Sequence, residues 1–102
     1  MPTPEQKIKK KIKDWIDREG IGYWAAVMGG SYSKPGQPDL ILCINGKFVG
    51  VEGKVPVSGV QSQHQKNNQE DIEHYGGQYI IARSVEELKN ELRRRGFLQD
   101  GE

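Results

Sequence analysis

The chain has 102 residues and a formal net charge of +1, which predicts one domain at residues 1–102 and does not by itself indicate a nucleic-acid-binding protein. No apolar run approaches the roughly 20 residues of a membrane-spanning helix, and the charged N-terminus does not have the apolar segment of a signal peptide. The single cysteine excludes an internal disulfide and favours a reducing compartment, so we expect a cytoplasmic protein with no membrane partner.

Capping and turn residues divide the chain into helices and strands. Thr3 and Pro4 are a capping residue and a first-turn proline, so a helix begins there. Asn45-Gly46 is a strong signal for a two-residue hairpin turn. Ser84, with Glu87 three residues later, is a capping box at the start of the last helix. The predicted elements are helix 4–19, strand 23–28, strand 39–44, strand 47–54, helix 62–75, strand 78–82 and a helix from 85 to about 95.

The two hairpin strands are apolar on both faces, because side chains alternate along each strand. One face carries Leu40, Leu42, Ile44, Val49 and Val51, and the other carries Ile41, Cys43 and Phe48. Two apolar faces must both be covered, so helices are expected on both sides of the sheet. The element order α-β-β-β-α-β-α therefore predicts an α/β fold with a mixed β-sheet and helices on both faces.

Basic residues crowd two segments of the chain despite its small net charge. Lysines are dense between residues 7 and 13, and arginines occupy residues 93–95. Such clusters can bind phosphate groups. From charge alone, two solvated helix faces are the more common explanation.

The hairpin turn places two carboxylates opposite each other. If Asn45-Gly46 is a two-residue loop, the register carried back along both strands pairs Asp39 with Glu52. Directly opposed side chains have Cβ atoms roughly 5 Å apart, and two like charges so placed destabilise a hairpin unless they are neutralised. Strand periodicity puts Lys54 on the same face as Glu52. A β-bulge would shift this register by one residue.

Two acids beside one ammonium group suit metal-dependent hydrolysis. A divalent cation would neutralise Asp39 and Glu52, and hard oxygen ligands suit Mg²⁺ or Mn²⁺. Gly53 leaves the backbone open, so its carbonyl is a further candidate ligand. A bound metal lowers the pKa of its water and stabilises charge on a phosphoryl oxygen, and Lys54 can orient that water or neutralise the developing charge. The competing interpretation is a surface cluster of acids and a lysine.

The spacing and surroundings of these residues resemble a known nuclease family. Pro38-Asp39, followed thirteen positions later by Glu52-Gly53-Lys54, resembles the PD-(D/E)XK nuclease superfamily. More specifically, the chain resembles the VRR-NUC subfamily over most of its length. The stretches that carry this likeness are Gly36-Gln37-Pro38-Asp39-Leu40, Val51-Glu52-Gly53-Lys54-Val55-Pro56, Ser62-Gln63-His64-Gln65-Lys66, Gly76-Gly77 and Arg83-Ser84. The likeness implies a restriction-endonuclease-like mixed β-sheet with helices on both faces.

The resemblance also implies roles for individual residues. The implied metal ligands are Asp39, Glu52, the Gly53 carbonyl and, through water, Glu5, and the implied catalytic residues are Asp39, Glu52, Lys54 and Gln65. In this scheme Lys54 acts on the attacking water, and Gln65, at the start of the following helix, supports the site. Glycine in the middle of the ExK motif departs from the family, where an apolar residue is more common.

The family likeness extends to substrate and assembly. Short bacterial and phage members look like dimeric structure-specific nucleases, similar in plan to Holliday-junction resolvases. The resemblance therefore implies a homodimeric endonuclease that cuts branched or four-way-junction DNA during repair or recombination. We expect the DNA backbone to contact Lys9, Lys10, Lys13, Ser31 and Lys34. The alternatives are a non-catalytic DNA-binding or assembly module that keeps the fold, and a metal hydrolase with a small phosphorylated substrate.

Three further residues are expected to serve packing rather than chemistry. Cys43 lies inside a strand and Trp15 lies on the apolar side of the first helix, so both are assigned to the core. Trp24 is assigned to core or interface packing, with base stacking as the alternative.

Overall fold

The computed structural model describes residues 3–27, 36–54 and 61–98. The elements in these ranges are α1 (Pro4–Glu19), β1 (Tyr23–Ala26), β2 (Leu40–Ile44), β3 (Lys47–Gly53), α2 (Gln63–His74), β4 (Gln78–Ala82) and α3 (Val85–Arg94). Their order is the predicted α-β-β-β-α-β-α, and their ends agree with the prediction to within two residues. Met28, where the predicted first strand ends, lies outside the described residues.

The described strands form one mixed sheet in the order β1-β2-β3-β4. β1, β2 and β3 pair antiparallel, and β4 runs parallel to β3. The β2–β3 turn is Asn45-Gly46, whose φ angles of 54° and 77° have the signs of a type I′ hairpin. The register predicted from this turn is confirmed in every pair from Ile44–Lys47 to Leu40–Val51, with no bulge between them.

Helices α1 and α3 cover one face of the sheet over a continuous apolar core. The strand residues in this core are Leu40, Leu42, Ile44, Val49, Val51, Ile80 and Ala82. From the helices come Ile12, Trp15, Ile16, Leu88 and Leu92. Trp15 is thus a core residue, as predicted. The partly buried Trp24 packs against the edge of the same core.

Helix α2 covers the other face, so helices lie on both sides of the sheet as predicted. The Ile72 side chain of α2 approaches both Gly50 and Gly77, and Tyr79 is buried on this side of β4. The expectation that Cys43 belongs to the core is wrong, because Cys43 is exposed. Among the described residues, helix α2 packs chiefly against β4, and Tyr23 and Cys43 on the β1–β2 side of this face are exposed.

The helix caps are formed by short side chains just before each first turn. Ser84 accepts a hydrogen bond from the Glu87 backbone N–H at 3.0 Å, so Ser84 caps α3 as predicted, but only this half of the predicted capping box is formed. The Glu87 carboxylate lies 3.6 Å from the Arg83 guanidinium, so it pairs with that cation. Across the described ranges, no helix is long and apolar enough to cross a membrane.

Candidate active site

The two predicted acids meet at the open end of the β2–β3 hairpin, opposite the turn. Asp39 immediately precedes β2, and one further step of the observed register sets it against Glu52. The Gly53 backbone N–H donates to Asp39 Oδ2 at 2.9 Å. The Val27 backbone N–H donates to the Asp39 carbonyl oxygen at 3.0 Å. Asp39 is therefore held by the strands on either side of it.

Glu52 is a buried carboxylate with one oxygen engaged and one free. Only 5% of Glu52 is exposed. Gln65 Nε2 donates to its Oε1 at 2.7 Å, and Lys54 Nζ lies 3.9 Å from the same oxygen. Oε2 is shielded from solvent and has no hydrogen-bond partner among the described residues. A buried carboxyl oxygen with no partner is unfavourable, and a cation would satisfy it.

Burial, together with the nearby charge of Asp39, raises the pKa of Glu52 to about 8. Burial is the largest cause, the negative charge of Asp39 is the next, and the ammonium group of Lys54 acts in the opposite direction. Without a cation, Glu52 therefore holds a proton at neutral pH. A divalent ion would replace that proton.

Lys54 is held at the site by the sheet as well as by its charge. Its backbone N–H donates to the Ala82 carbonyl at 3.0 Å, which extends the β3–β4 pairing by one residue. The side chain is only 12% exposed. This burial keeps the ammonium group beside Glu52, where sequence periodicity had placed it.

Gln65 uses both ends of its amide. Its Oε1 accepts from the Ser62 backbone N–H at 2.9 Å, and Ser62 Oγ accepts from the Gln65 N–H at 3.2 Å. This capping box at the start of α2 leaves Nε2 free to donate to Glu52. A neighbouring polar candidate, Gln63, bonds to Asn67 instead.

Gly36 fixes the position of that first turn of α2. A Cβ at Gly36 would lie 2.3 Å from the His64 carbonyl carbon and 2.6 Å from the Gln65 nitrogen. Its φ of +79° also favours glycine. The chain before β2 therefore packs directly against the backbone that carries Gln65.

The first turns of α1 lie over Gly53. A Cβ at Gly53 would lie 3.4 Å from Lys9 Cγ and 3.9 Å from the Glu5 carbonyl oxygen. Lys9 Nζ is 3.9 Å from Asp39 Oδ1. The first turns of α1 are thus within ordinary packing distance of Gly53, which places Lys9 and the Glu5 backbone close to the site.

The lysines of α1 that are predicted to contact DNA have different side-chain partners in the structure. Lys9 pairs with Asp39, whereas Lys10 Nζ bonds to Asp14 at 2.8 Å. Lys13 Nζ lies 5.2 Å from the centre of the Trp24 ring. Ser31 and Lys34 lie outside the described residues.

Sequence reasoning missed Tyr79. Its side chain lies on the face of the sheet that carries Glu52, because Tyr79 pairs with Gly50 and its neighbour Ile81 pairs with Glu52. Burial and then the charge of Glu52 raise the pKa of Tyr79 to about 12, with Asp39 adding to the effect and the Gln61 amide opposing it. The location of Tyr79 near Glu52 follows from the parallel pairing of β3 and β4, which the sequence pattern does not indicate.

The donor set fits a hard divalent cation. Among the described residues, no cluster of three or more histidine, cysteine, aspartate and glutamate side chains could hold a metal. Mg²⁺ does not need such a cage, because it keeps several waters and binds through one or two carboxylates. Asp39 and the unpartnered oxygen of Glu52 meet that requirement, with the Gly53 carbonyl as a further candidate. An all-oxygen set also suits Mn²⁺ better than zinc.

The arrangement of strands and helices matches that of a solved structure. A solved structure described as "VRR_NUC domain" is similar to this chain with a TM-score of 0.73, and the match covers 94% of this chain and 100% of that one. The chain has the VRR_NUC fold. Sequence identity to that structure is 21%, so the likeness concerns the fold. No family model matches the sequence, and no curated protein matches it. The fold that the VRR-NUC resemblance implies is thereby confirmed.

Proposed function

We propose that this chain is a Mg²⁺- or Mn²⁺-dependent endonuclease that hydrolyses phosphodiester bonds in DNA. One observation carries the proposal. Glu52 presents a buried oxygen without a partner beside Asp39, while Gln65 and Lys54 occupy its other oxygen. Because Gln65 and Lys54 lie at Oε1, the free Oε2 and the neighbouring Asp39 carboxylate are suited to holding a cation.

The metal would be held by this chain's own oxygens. Asp39 and Glu52 provide the two carboxylates, the Gly53 carbonyl is a further ligand, and Glu5 acts through water. When bound, the cation lowers the pKa of a coordinated water and stabilises negative charge on a phosphoryl oxygen. The position of the Glu5 backbone, whose carbonyl oxygen would lie 3.9 Å from a Cβ at Gly53, supports the inclusion of Glu5.

Lys54 and Gln65 have separate roles in this proposal. The Lys54 ammonium group orients the attacking water and compensates the negative charge that develops on the phosphate. Gln65 holds Glu52 in place through its amide hydrogen bond, and the α2 cap in turn holds Gln65. Both residues are anchored by secondary structure, so the constellation is formed before substrate binds.

DNA is the proposed substrate, in branched or four-way-junction form. The basic residues of α1, which include Lys9, Lys10 and Lys13, lie on the helix whose first turns approach Asp39 and Gly53, and they are suited to the phosphate backbone. Ser31 and Lys34 are proposed as further contacts. A homodimer would present two active sites to a symmetric junction. We place this activity in the cytoplasm of a bacterium, in repair or recombination or in a phage infection.

Cleavage of labelled DNA tests the proposal directly. Four-way junction, splayed-arm and plain duplex substrates are incubated with Mg²⁺, Mn²⁺ or EDTA. Lys54→Ala is compared with Lys47→Ala, a matched variant at the opposite end of β3, where Lys47 Nζ lies 5.5 Å from the Phe97 ring centre. Metal-dependent cutting that Lys54→Ala loses and Lys47→Ala keeps supports the proposal. Binding of DNA without cutting under any condition contradicts it and favours a non-catalytic DNA-binding module.

A further inference from the structure

Tyr79 is a buried polar side chain outside the apolar core. It is 1% exposed and is the largest fully buried side chain among the described residues. It lies on the α2 side of the sheet, one strand away from Glu52. Packing alone would be served by phenylalanine, so the hydroxyl group needs its own explanation.

The Tyr79 hydroxyl and Glu52 Oε2 are both buried polar atoms without a hydrogen-bond partner among the described residues. The Gln61 amide lies near the phenol, but its Nε2 donates to Gln69 Oε1 at 2.9 Å. A buried hydroxyl without a partner destabilises a fold, which indicates that this group is satisfied in another state of the site.

The surroundings of the phenol favour a donor role. Burial is the main reason that the Tyr79 hydroxyl keeps its proton, and the charges of Glu52 and Asp39 act in the same direction. Tyr79 is therefore a neutral donor on the face of the sheet that carries Glu52. Carboxylates that bind metal ions are commonly held by such outer hydrogen-bond donors.

We propose that Tyr79 is a positioning residue of the metal centre, whose hydroxyl donates to the Glu52 carboxylate, directly or through one water, when a divalent cation is bound. Gln65 holds Oε1 from the α2 side, and Tyr79 holds the carboxylate from β4. Two donors from two elements fix the plane of the carboxylate toward the cation. The inference rests on the proposed function, because it assumes that Glu52 binds a metal.

Tyr79→Phe tests this role, since it removes the hydroxyl and keeps the ring. The control is Tyr23→Phe, because Tyr23 is 67% exposed and pairs with Cys43, far along the hairpin from Glu52. Mn²⁺ affinity of the full chain is measured by calorimetry, and thermal midpoints are measured with EDTA and with Mn²⁺. We expect Tyr79→Phe to bind Mn²⁺ roughly tenfold more weakly or worse. Its midpoint in EDTA should be unchanged or higher, because an unpartnered hydroxyl has been removed.

Each outcome bears on either this inference or the proposed function. Weaker Mn²⁺ binding with an unchanged or raised midpoint in EDTA supports the positioning role. Equal Mn²⁺ affinity in Tyr79→Phe and the unmodified chain overturns the inference and leaves the metal site standing. If Tyr79→Phe binds Mn²⁺ more weakly and its thermal midpoint in EDTA is also lower, Tyr79 has a packing role and the inference is overturned. No Mn²⁺ binding by the unmodified chain overturns both.

Discussion

Gln65 Nε2 donates a 2.7 Å hydrogen bond to Glu52 Oε1, while Gln65 Oε1 accepts from the Ser62 backbone. One amide thus links the cap of α2 to a buried carboxylate on β3. The helix is stabilised where it begins, and the carboxylate is held where it would bind a cation. Fold and candidate site depend on the same side chain.

Gln65→Ala should therefore impair both stability and cleavage. It removes half of a capping box and the donor to a buried acid, which together should lower the free energy of unfolding by about 1–3 kcal/mol. Cleavage should fall by roughly tenfold or more. Thermal unfolding and cleavage assays check this, with Gln63→Ala as the control, because Gln63 contacts Asn67 on the same helix. Equal losses of stability and cleavage in Gln65→Ala and Gln63→Ala would refute the specific role of Gln65.

Gln65→Glu separates the two roles. Glutamate can cap α2 as glutamine does, but it places a third carboxylate next to Glu52 and removes the donor. We expect cleavage to be lost while the cap persists, as measured by the amide-exchange protection of the first turn of α2. Full cleavage by Gln65→Glu would show that the hydrogen bond to Glu52 is not required.

Gly36→Ala should disturb the site through the backbone of α2. Its Cβ would lie 2.4 Å from the His64 carbonyl oxygen, and its left-handed φ adds strain of about 1–2 kcal/mol. Gly20→Ala is the matched control, because Gly20 has a φ of +61° with nothing within 4 Å. Both variants should lose stability in chemical denaturation, but only Gly36→Ala should lose cleavage. Equal cleavage in the two would argue against a role for Gly36 in placing Gln65.

The metal-free protein should lose stability as the pH rises toward 8. The pKa of Glu52 is raised from 4.5 to about 8 in the folded state, so the folded state favours the protonated acid. The stabilisation is complete below pH 4.5 and disappears as the pH passes through about 8. Thermal unfolding in EDTA across this range should show the decline, and Glu52→Gln should remove most of it. A thermal midpoint in EDTA that rises with pH would contradict the raised pKa of Glu52 in the folded state.

Lys9 should oppose metal binding and favour DNA binding. Its ammonium group lies 3.9 Å from Asp39 Oδ1, so it competes with a cation for that carboxylate. Lys9→Ala should bind Mn²⁺ a few-fold more tightly, because a partly exposed ion pair contributes little, and should bind DNA more weakly. Lys10→Ala, which removes an exposed pair with Asp14, should weaken DNA binding without changing Mn²⁺ affinity. Weaker Mn²⁺ binding by Lys9→Ala would contradict the competition.

Local signals predicted the hairpin and its acids well. The Asn45-Gly46 turn determines the register, and the register determines that Asp39 and Glu52 face each other, so no distant contact was needed. Capping residues likewise located the helices. The hairpin register and the helix starts depend on residues that are close in sequence, so turn residues, capping residues and periodicity are enough to predict them.

The features that sequence reasoning missed depend on contacts between distant elements. Cys43 has the pattern of a core strand residue, but α2 lies over β4 and leaves it exposed. Tyr79 joins the site only through the parallel β3–β4 register. Lys9 reaches Asp39 because α1 packs on Gly53, and its position among other lysines indicated only a basic helix face.

Metal binding and DNA cleavage, measured together on Asp39→Asn and Lys54→Ala, test the proposed active site most directly. Asp39→Asn removes a proposed ligand, whereas Lys54→Ala leaves the oxygen ligands intact. We predict that Asp39→Asn loses both Mn²⁺ affinity and cleavage of a labelled four-way junction, and that Lys54→Ala loses cleavage but keeps Mn²⁺ affinity. Metal-dependent cleavage at the unmodified rate by either variant would contradict the proposed active site.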